Sequence, residues 1–530
     1  MTHKEEAEER SYEHWATVVS NKAIEIFGKK QVVATGWAPS GYYHIGNFKE
    51  AVTCRAIHRE LISLGADSYY LLNIDDVDPF EKIPAFFKEY GKLLKPYLGH
   101  AISEVPDPLG CHDSYAEHFI ADALAIMNDF DVNPDPILTS KLYEEGKYYR
   151  YAKLFLEKRE EMYELTEEIT GSKMEDFFLI QCPKCNNLSA PKIIDYKFIE
   201  DKIKVEILCQ KERRGCGQKS SLILGETIWK IKWRLDWAAR QDFLGVTVES
   251  SGKDHGVSGG SIDSSLAIHE RIFGKSKLPM LITHGFLTFG GKKLSGSTGS
   301  GLPVSKFPSI LDPSIFLYKI YRTNLRTDTD FKVEMDVPGV ASDYDLAEEL
   351  YYKERDIEHK KTKEKTVKAY ELALMAEPFE EKPIRMNYGQ LVTFLQVYLF
   401  DEEQVIETLK AKEIIPFNIS NRDLQLLKDR IQRAKFWIEN YASNNFKFSV
   451  VKNPKCDIVK LLDLPVLKEL YMALQNLPEN YQGDSITQYL YEIAKEKEIK
   501  PGNFFRSIYQ IVLAQKSGPR AGTLIDVLGK

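Results

Sequence analysis

The fold of this chain is decided by residues 35 to 50, which read Thr35-Gly36-Trp37-Ala38-Pro39-Ser40-Gly41-Tyr42-Tyr43-His44-Ile45-Gly46-Asn47-Phe48-Lys49-Glu50. The four residues before this stretch are apolar or β-branched for the most part, which predicts a buried strand. Residues 47 to 64 carry apolar side chains at helical spacing, and Gly65 follows as a helix stop. The sequence therefore predicts a strand, a turn rich in proline and glycine, and the start of a helix.

The entrance of this helix has the chemistry of a phosphate site. His44 and Asn47 lie three residues apart there, and a helix N-terminus offers backbone N–H groups and a partial positive charge. No Gly-Lys-Ser/Thr follows, so the turn is not a P-loop, and it does not match the dinucleotide fingerprint. The alternative is a capped helix after a buried strand, without a ligand.

Length and composition indicate an ordinary globular protein of several domains. The chain has 530 residues, of which 43% are hydrophobic and 28% charged. It has no long uncharged apolar run and no apolar segment near its start, so we expect no membrane span, no signal peptide and a cytoplasmic location. The net charge of −7 does not exclude a nucleic-acid partner, since a protein that binds nucleic acid needs only one basic track.

Three carboxylates follow a second strand, which is predicted at residues 69 to 74. Strand, helix and strand in this order indicate a parallel sheet, and ligands bind beyond the carboxyl ends of such strands. This places His44 and the side chains of Asp75, Asp76 and Asp78 around one crevice. The carboxylates either recognise a cation, namely a substrate ammonium or Mg²⁺, or only cap the next helix.

A later group of cysteines has the spacing of a zinc site. Cys182 and Cys185 form a Cys-x-x-Cys knuckle. Cys209 and Cys216 follow beyond a segment that alternates apolar and charged residues like a hairpin. This predicts a zinc ribbon with four sulfur ligands, and a partly liganded site or a redox pair are the alternatives.

An earlier cysteine stands in a loop rich in proline and glycine, within residues 96 to 118. Cys111, His112 and His118 offer metal ligands, but their spacing matches no common metal-binding pattern, so a metal site is the alternative here and we expect the loop to line a ligand pocket or to contact the end of an RNA. A helix is predicted from about Tyr115, and residues 114 to 170 are predicted to be mostly helical.

Two further segments point to a ligand. Trp229, Trp233 and Trp237 stand at four-residue spacing, which predicts one aromatic stripe along a helix, either at a ligand or in the core. Two glycine-rich turns follow, each with an acidic residue, and they predict a ligand loop before a helix from about Ser264. The residues of this loop that we assign to binding are Asp254, His255, Gly259, Gly260 and Asp263.

A strand predicted at residues 277 to 283 leads to a loop at 290 to 301 that is basic at its start and then rich in glycine and serine. Here Lys293-Leu294-Ser295-Gly296-Ser297 resembles the "KMSKS" loop of class I aminoacyl-tRNA synthetases, and His44-Ile45-Gly46-Asn47 resembles their "HIGH" signature. The two signatures occur in the order found in that class.

The chain is similar over most of its length to one subgroup, the class I lysyl-tRNA synthetases. The matching words include Pro39-Ser40-Gly41, Val105-Pro106-Asp107-Pro108, Ser114-Tyr115-Ala116-Glu117-His118-Phe119, Trp233-Arg234-Leu235-Asp236-Trp237, Gly252-Lys253-Asp254-His255 and Gly518-Pro519-Arg520-Ala521-Gly522.

The resemblance implies an architecture and a reaction. It implies an α/β Rossmann-type parallel-sheet catalytic domain over residues 1–305, interrupted by a zinc-ribbon-like insertion at 175–228. A stem-contact or linker region at 306–380 and an all-α anticodon-binding domain at 381–530 would follow. The implied enzyme is a lysine–tRNA ligase that uses ATP, Mg²⁺ and a structural Zn²⁺, with L-lysine and lysine tRNA as partners. We expect a monomer, although the sequence leaves the oligomeric state open.

The resemblance also implies roles for single residues. His44 and Asn47 would bind the ATP phosphates, and Lys293 with Lys292, Ser295 and Ser297 would neutralise and hold them during phosphoryl transfer. Asp254 and Asp263 would lie near the ribose and the amino acid. The remaining residues assigned to ATP or amino acid binding are Gly36, Ala38, Pro39, Ser40, Gly41, Gly46, Asp75, Asp76, Trp233, His255, Gly259 and Gly260.

The chain departs from the pattern of the subgroup at a few positions. Ala38 stands where a threonine is expected, and Thr283 stands near an expected aromatic residue. Gly296 replaces the second lysine of the loop, and Thr298 stands where a lysine often occurs. These positions leave two alternatives open: a class I ligase with a different amino acid specificity, and a catalytically weak paralogue that binds tRNA or a nucleotide.

From residue 307 onward strand signals are few, and apolar stripes recur at helical spacing. A basic stripe ends at Phe436-Trp437, and basic residues beside aromatic rings suit unpaired bases. The alternative is a core aromatic with a solvated basic rim. The residues assigned to tRNA binding are Arg422, Arg430, Arg433 and Trp437.

Overall fold

The computed structural model describes residues 13–174, 176–290, 303–451, 462–479 and 481–529. The chain divides into two compact units. The first unit holds Met1–Ser305, Ile320–Phe331 and Glu358–Met375, and the second holds Lys306–Lys319, Lys332–Ile357 and Ala376–Lys530. The domain boundaries at 305/306 and 380/381 stay predictions. No described helix is both long and apolar enough to cross a membrane.

The strands of the described residues all lie in the first unit. In chain order they are β1 (Lys30–Trp37), β2 (Asp67–Ile74), β3 (Asp135–Leu138), β4 (Phe178–Ile180), β5 (Pro191–Ile199), β6 (Lys202–Cys209), β7 (Lys219–Ile223), β8 (Trp229–Ile231), β9 (Val248–Gly252), β10 (Met280–His284), β11 (Leu287–Phe289) and β12 (Thr329–Phe331).

A five-stranded parallel sheet forms the centre of this unit, in the order β10-β9-β1-β2-β3. Val33 of β1 is fully buried and pairs with Tyr70 of β2 on one side and Val248 of β9 on the other. A strand covered on both faces reads as a continuous apolar run, which is why β1 was predictable. The predicted α/β parallel-sheet class is confirmed.

Edge strand β3 was not predicted, because its four residues stand inside a region with helical periodicity. It pairs in parallel with β2, and its Pro136 is tolerated because an edge strand need not donate every backbone N–H group. The helices of the first unit are Trp15–Phe27, Ile45–Ser63, Gly91–Leu94, Tyr115–Asp129, Thr139–Glu144, Tyr149–Glu157, Arg159–Thr170, Trp233–Leu244, Ser261–Ala267 and Lys360–Ala373.

The segment between β3 and β9 carries the insertion. β4 pairs antiparallel with β8, and β5, β6 and β7 form a separate antiparallel sheet. β5 and β6 are the predicted hairpin. Alternate residues of β6 are buried, namely Ile203, Val205, Ile207 and Cys209, so this sheet has one apolar face that packs into the core.

The second unit is all-α within the described residues, as predicted. Its helices are Phe307–Ile310, Val337–Tyr351, Tyr388–Val397, Glu402–Ala411, Asn421–Asn440, Leu464–Gln475, Asp484–Glu496, Pro501–Leu513 and Ala521–Leu528, and Pro313–Tyr321 contributes residues to both units. The last four helices share an apolar core around Leu490, Phe504 and Leu524.

Candidate active site and metal centres

The turn after β1 and the helix Ile45–Ser63 hold His44 and Asn47 at the carboxyl edge of the sheet. His44 is the N-cap of this helix, and its Nδ1 accepts hydrogen bonds from the backbone N–H groups of Gly46 (3.1 Å) and Asn47 (3.4 Å). A Cβ atom on Gly46 would lie 3.0 Å from the His44 ring, so a larger residue there would displace the ring from this cap. The ring of His44 is thereby fixed at the positive end of the helix.

A cavity of about 420 Å³ opens in front of this helix entrance. Its lining includes Asn47, whose Oδ1 is buried and has no hydrogen-bond partner among the described residues. Such an oxygen needs a partner from a ligand or from water. The remaining lining residues are Trp37, Ala38, Ser40, Gly41, Tyr42, His44, Pro79, Phe80, Glu81, Lys82, Pro84 and Ile102.

A second cavity, of about 210 Å³, shares the wall made by Trp37, Ala38 and Asn47. It brings together predicted site residues from four segments of the chain. Its lining residues are Gly36, Trp37, Ala38, Asn47, Glu50, Asp75, Asp78, Trp233, Trp237, Arg240, Glu249, Ser250, Ser251 and His255. Two adjoining cavities of this kind suit two reactants that must meet.

Two tryptophans form the aromatic wall of the smaller cavity. The rings of Trp233 and Trp237 are stacked with centroids 5.2 Å apart, and the His255 ring lies 6.1 Å from each. The prediction of one helix through residues 229 to 237 is wrong, because Trp229 belongs to β8 and the helix begins at Trp233. The β4–β8 pairing overrides the helical spacing of the three rings.

The carboxylates after β2 have partners inside the protein. Asp75 and Asp78 both bind the ammonium of Lys230, a fully buried residue of β8. Burial alone would lower the pKa of Lys230, but these carboxylates raise it, so Lys230 is charged. One oxygen of Asp75, Oδ1, is buried and has no hydrogen-bond partner among the described residues. It remains available to a ligand at the edge of the smaller cavity.

Asp76 is bound inside the protein, but to a helix that follows β3 and not, as the alternative prediction had it, to the next helix of the chain. Its carboxylate accepts hydrogen bonds from the backbone N–H (2.8 Å) and the hydroxyl (2.5 Å) of Ser140, at the start of the helix Thr139–Glu144. Its role in ATP or amino acid binding stays a prediction.

The sequence analysis missed the acidic floor of the smaller cavity. Glu50 accepts hydrogen bonds from Thr35 (3.0 Å) and from the Gly36 N–H (3.4 Å), and burial raises its pKa to about 8. Glu249 accepts from Arg240 (3.4 Å) and Gln241 (2.6 Å). Glu50 stands six residues after His44 on the same helix, and no local motif marks it as a site residue.

The glycine-rich loop after β9 lies beside this cavity. Asp254 stands on the exposed side of the short helix Lys253–Gly256. The Gly259 N–H donates to the carboxylate of Asp263 (2.9 Å), and Gly259 has φ +73°, which favours glycine. A Cβ atom on Gly260 would lie 2.4 Å from the carbonyl oxygen of His255. Asp263 and the two glycines therefore shape the loop that presents His255.

The turn residues Ser40 and Gly41 line the larger cavity, and the hydroxyl of Tyr115 donates to the Ser40 carbonyl oxygen (2.8 Å). Pro39 lies in sequence between the lining residues Ala38 and Ser40, but it is not itself a lining residue of either cavity. The lysine loop falls outside the described residues, and with it the assignments of Lys292, Lys293, Ser295 and Ser297 and the departures Gly296 and Thr298.

The four predicted zinc ligands meet in the insertion. The sulfur atoms of Cys182, Cys185, Cys209 and Cys216 all lie within 4.8 Å of one another. The Sγ distances are 3.7 Å for Cys182–Cys216 and 3.6 Å for Cys185–Cys209. Four sulfurs at about 2.3 Å from one tetrahedral ion stand about 3.8 Å apart. The donor set and its geometry therefore fit zinc.

A second cluster of possible metal ligands joins Asp107 to the three residues whose metal site the sequence analysis did not favour, Cys111, His112 and His118. Ligand atoms of Asp107, Cys111, His112 and His118 lie within 4.8 Å of one another. The Cys111 sulfur is 3.2 Å from Asp107 Oδ2 and from Nδ1 of each histidine. Asp107 Oδ2 lies 3.9 Å from His112 Nδ1 and 3.6 Å from His118 Nδ1. These distances between ligand atoms are close to the roughly 3.3–3.8 Å expected between nitrogen, oxygen and sulfur ligands of one zinc ion.

This second cluster, the mixed cluster, lies next to the turn that holds His44. Tyr42 of that turn contacts His118 (ring centroids 6.4 Å apart) and Phe119 (5.1 Å). The helix Tyr115–Asp129, which carries His118, also carries the Tyr115 hydroxyl that binds the Ser40 carbonyl. Ile102, from the same stretch of residues 96 to 118, lines the larger cavity, and the role predicted for the loop stays a prediction.

The residues assigned to tRNA binding lie on the helix Asn421–Asn440, with their polar groups engaged inside the second unit. Trp437 is fully buried and donates to the Val333 carbonyl oxygen (2.6 Å). Arg430 forms a two-fold ion pair with Asp345 (3.0 and 2.6 Å), and Arg433 donates to the Pro308 carbonyl oxygen (2.9 Å). This geometry favours the alternative of a core aromatic with a basic rim.

Arg422 is more exposed than the other three. Its guanidinium binds Asp423 (2.8 Å) and lies 4.6 Å from the ring centroid of Phe379. Of the four, it is the residue whose position is compatible with contact to RNA.

Comparison with known proteins places the chain in a family. A family model described as "tRNA synthetases class I (K)" matches residues 13–376, and one described as "Anticodon binding domain" matches residues 372–530. The lysine–tRNA ligases of Pyrococcus horikoshii and Thermococcus kodakarensis are each 29% identical, over 98% of this chain and 98% of theirs. That of Archaeoglobus fulgidus is 29% identical over 97% of both chains. Because the first model spans well over half of the sequence and agrees with the sheet and the His44 turn, the chain belongs to the class I tRNA synthetases (K).

Proposed function

We propose that this enzyme activates L-lysine with ATP to lysyl-adenylate and transfers the lysyl group to the 3′ end of lysine tRNA. The observation that carries the proposal is the pair of adjoining cavities that share Trp37, Ala38 and Asn47. The larger cavity contains the N-terminus of the helix Ile45–Ser63, which suits phosphate, and the smaller cavity is lined by carboxyl groups and stacked aromatic rings. The full-length similarity to lysine–tRNA ligases supports lysine over another amino acid.

The larger cavity is the proposed ATP site. His44 and Asn47 hold the phosphates at the positive end of their helix, and Mg²⁺ neutralises phosphate charge when it is bound. The lysine carboxylate is ionised at neutral pH, so its attack on the α-phosphorus needs no general base. Pyrophosphate leaves in that step. Positioning and charge neutralisation therefore carry the catalysis, with Lys293 and Lys292 proposed to close over the pyrophosphate.

The smaller cavity is the proposed lysine site. Trp233 is 40% exposed and presents a ring face to a cation. The buried oxygen of Asp75 and the carboxylate of Glu249 provide acceptors for an ammonium, and Glu50, whose pKa burial raises to about 8, adds a mostly neutral carboxyl group at pH 7. Lys230 and Arg240 neutralise part of this acidic charge, so that the floor attracts a cation without holding a large unbalanced charge.

We further propose that both ligand clusters hold zinc. In the insertion Zn²⁺ would have four thiolate ligands, which is the composition of a structural site. In the mixed cluster it would have one carboxylate, one thiolate and two imidazoles. Neither ion would take part in the reaction. The first would join the Cys182–Cys185 knuckle to the end of β6, and the second would join the loop at Asp107 to the first turn of the helix Tyr115–Asp129.

The proposal also covers tRNA binding, the oligomeric state and the location of the enzyme. The second unit would bind lysine tRNA, and the enzyme would act as a monomer in the cytoplasm, where tRNA is charged for translation. The oligomeric state is measurable by light scattering.

The test is lysine-dependent ATP–pyrophosphate exchange, with each of the twenty amino acids and with or without total tRNA. We expect exchange with lysine. Exchange with another amino acid instead would keep the reaction and overturn the assigned substrate. Absence of exchange from folded protein, even with tRNA, would favour a binding paralogue.

The variant His44→Ala tests the phosphate site. We expect exchange to fall on the order of a hundredfold with tRNA binding retained, because one donor to the phosphates is lost. His359→Ala is the matched control. His359 is also the N-cap of a helix, Lys360–Ala373, but it makes no side-chain cap hydrogen bond, so exchange should be unchanged. Equal rates for the two variants would contradict the assignment.

A further inference from the structure

The smaller cavity contains a hydroxyl group to which no role has been assigned. Ser251, near the end of β9, lines this cavity and is only 5% exposed. Its Oγ atom is buried and has no hydrogen-bond partner among the described residues. A hydroxyl that is buried without a partner loses its hydrogen bonds to water. Ser251 therefore needs a partner that a ligand of this cavity can supply.

Ser251 lies on the face of the sheet that the tryptophan helix covers. Side chains alternate along a strand, so Ser251 shares a face with Glu249, which accepts hydrogen bonds from two residues of the helix Trp233–Leu244. Ser250 also has a buried hydroxyl without a described partner, but it lies on the opposite face. Of the two serines, Ser251 is thus the one on the side of the stacked aromatic rings.

Asp75 and Ser251 stand on opposite sides of β1. The strand order is β9-β1-β2, and Asp75 directly follows β2. The N–H of Asp75 donates to the Trp37 carbonyl oxygen (2.8 Å), which fixes Asp75 next to the wall that the two cavities share. Ser251 lies two strand spacings away, about 10 Å between the backbones. The cavity therefore offers one polar group beside the shared wall and another at its far side.

A lysine molecule has an ammonium group for each of these positions. Its carboxylate must face the shared wall, because it attacks the phosphorus of ATP in the larger cavity. The α-ammonium is one carbon away from that carboxylate, and it then lies near the unpartnered oxygen of Asp75. The four-carbon stem carries the ε-ammonium away from the wall, toward Ser251 and the exposed ring of Trp233.

The charges at the far side of the cavity permit a cation there. The guanidinium of Arg240 lines the cavity, but Glu249 (3.4 Å) and Asp236 (3.7 Å) offset its charge. On the neighbouring strand β10, the residue paired with Ser251 is the uncharged Thr283. A cation next to Ser251 therefore meets a neutral hydroxyl acceptor, an aromatic ring and an arginine that is already paired.

We propose that Ser251 recognises the end of the substrate side chain: its hydroxyl accepts a hydrogen bond from the ε-ammonium of lysine, while Asp75 binds the α-ammonium. The inference rests on the proposed function, which makes lysine the substrate. An amino acid of the same length without the ε-ammonium would leave the buried hydroxyl unpaired. Ser251 is thus a specificity-determining residue, because a site built to hydrogen-bond a group rejects analogues that lack it.

The experiment is calorimetric titration of the full chain with lysine and with two analogues, in the presence of total tRNA. Norleucine lacks the ε-ammonium, and ε-aminocaproate lacks the α-ammonium. For Ser251→Ala we expect lysine and ε-aminocaproate to bind about tenfold more weakly or worse, because a hydrogen bond to a charged group is lost. Norleucine should bind as it does to the wild type.

Ser507→Ala is the matched control, because Ser507 is an equally buried serine of the second unit. All three ligands should bind to it as they bind to the wild type. Unchanged lysine affinity of Ser251→Ala would overturn the inference, and so would an equal loss for all three ligands, which would indicate only a change in the shape of the cavity. A loss confined to lysine and norleucine would also overturn it, because it would place the α-ammonium at Ser251.

The proposed function is tested separately by pyrophosphate exchange of the wild type. Exchange with lysine, together with unchanged lysine affinity of Ser251→Ala, would retain the function and overturn only the role of Ser251. Failure of lysine to bind the wild type would overturn both.

Discussion

The two ligand clusters of the first unit have similar distances between ligand atoms, but they differ in burial and in their distance from the candidate active site. The four-cysteine cluster takes its ligands from the insertion, and Cys182 and Cys209 are fully buried there. The mixed cluster stands at the surface next to the His44 turn, and His112 is 35% exposed. The first contributes no lining residue to the two cavities of the candidate active site, while the second contacts the turn that lines the larger one. From this comparison we expect the four-cysteine cluster to stabilise the fold of the insertion and the mixed cluster to position the turn that holds His44.

Their local construction explains why only one was predictable. The Cys-x-x-Cys knuckle turns two thiolates toward one point by itself. In the mixed cluster Asp107 is oriented by the backbone, since its carboxylate accepts from the N–H groups of Leu109, Cys111 and His112 (3.0, 2.9 and 3.0 Å). His118 comes from the next helix, one turn beyond its N-cap Ser114. An aspartate before a glycine turn ordinarily reads as part of the turn.

The largest effect that separates the clusters is expected for Cys182→Ser. Removing one ligand of a buried four-thiolate site gives up much of the metal binding free energy, which is also folding free energy. We expect the loss of one equivalent of zinc and a melting transition at least about 10 °C lower. The measurements are elemental analysis and calorimetry on the full chain.

Cys54→Ser is the matched control for that change. Cys54 is equally buried and its thiol donates to the Ala34 carbonyl oxygen (3.2 Å), but it belongs to neither cluster. It should keep all bound zinc. If Cys182→Ser also kept its zinc and its melting temperature, the four-cysteine cluster would not be a structural metal site.

The parts of the fold that sequence could predict are those specified by nearby residues. β1, the helix Ile45–Ser63 and the β5–β6 hairpin each carry their own periodicity and stop signals. Trp229 was assigned to a helix because its strand partner, β4, is about fifty residues away in the chain. Short strands whose pairing is remote leave little local signal.

The candidate site shows the same limit at the level of side chains. His44 and Asn47 were assigned to the candidate site because the signature around them is contiguous, and the structure places both in the lining of the larger cavity. Lys230, which neutralises Asp75 and Asp78, was missed because it lies more than a hundred residues from them and inside an apolar strand. Trp437 resembled a surface ring because basic residues precede it, but the helix turns it inward.

A smaller and different effect is expected for Cys111→Ser. Cys111 is exposed, so its substitution leaves the core unchanged and melting should shift by only a few degrees. One equivalent of zinc should be lost. Pyrophosphate exchange should fall on the order of tenfold, since His118, which contacts Tyr42, is no longer held by the metal site. The opposite pattern, normal exchange with one zinc fewer, would show that the mixed cluster has no role in positioning the turn.

The smallest effect is expected for Tyr115→Phe, which tests how the mixed cluster reaches the turn. The change removes the hydrogen bond from the Tyr115 hydroxyl to the Ser40 carbonyl oxygen and leaves every ligand atom of the cluster in place. One buried hydrogen bond contributes about 1 kcal/mol, so exchange should fall severalfold while zinc content stays at the wild-type value. Tyr163→Phe, on the helix Arg159–Thr170 away from both clusters, is the control and should retain full exchange.

If Tyr115→Phe has no effect while Cys111→Ser does, the influence of the cluster passes through the contact between His118 and Tyr42 rather than through Ser40. If both have the same effect, the Tyr115 hydrogen bond is the connection, and the helix Tyr115–Asp129 transmits the position of the metal site to the turn that holds His44.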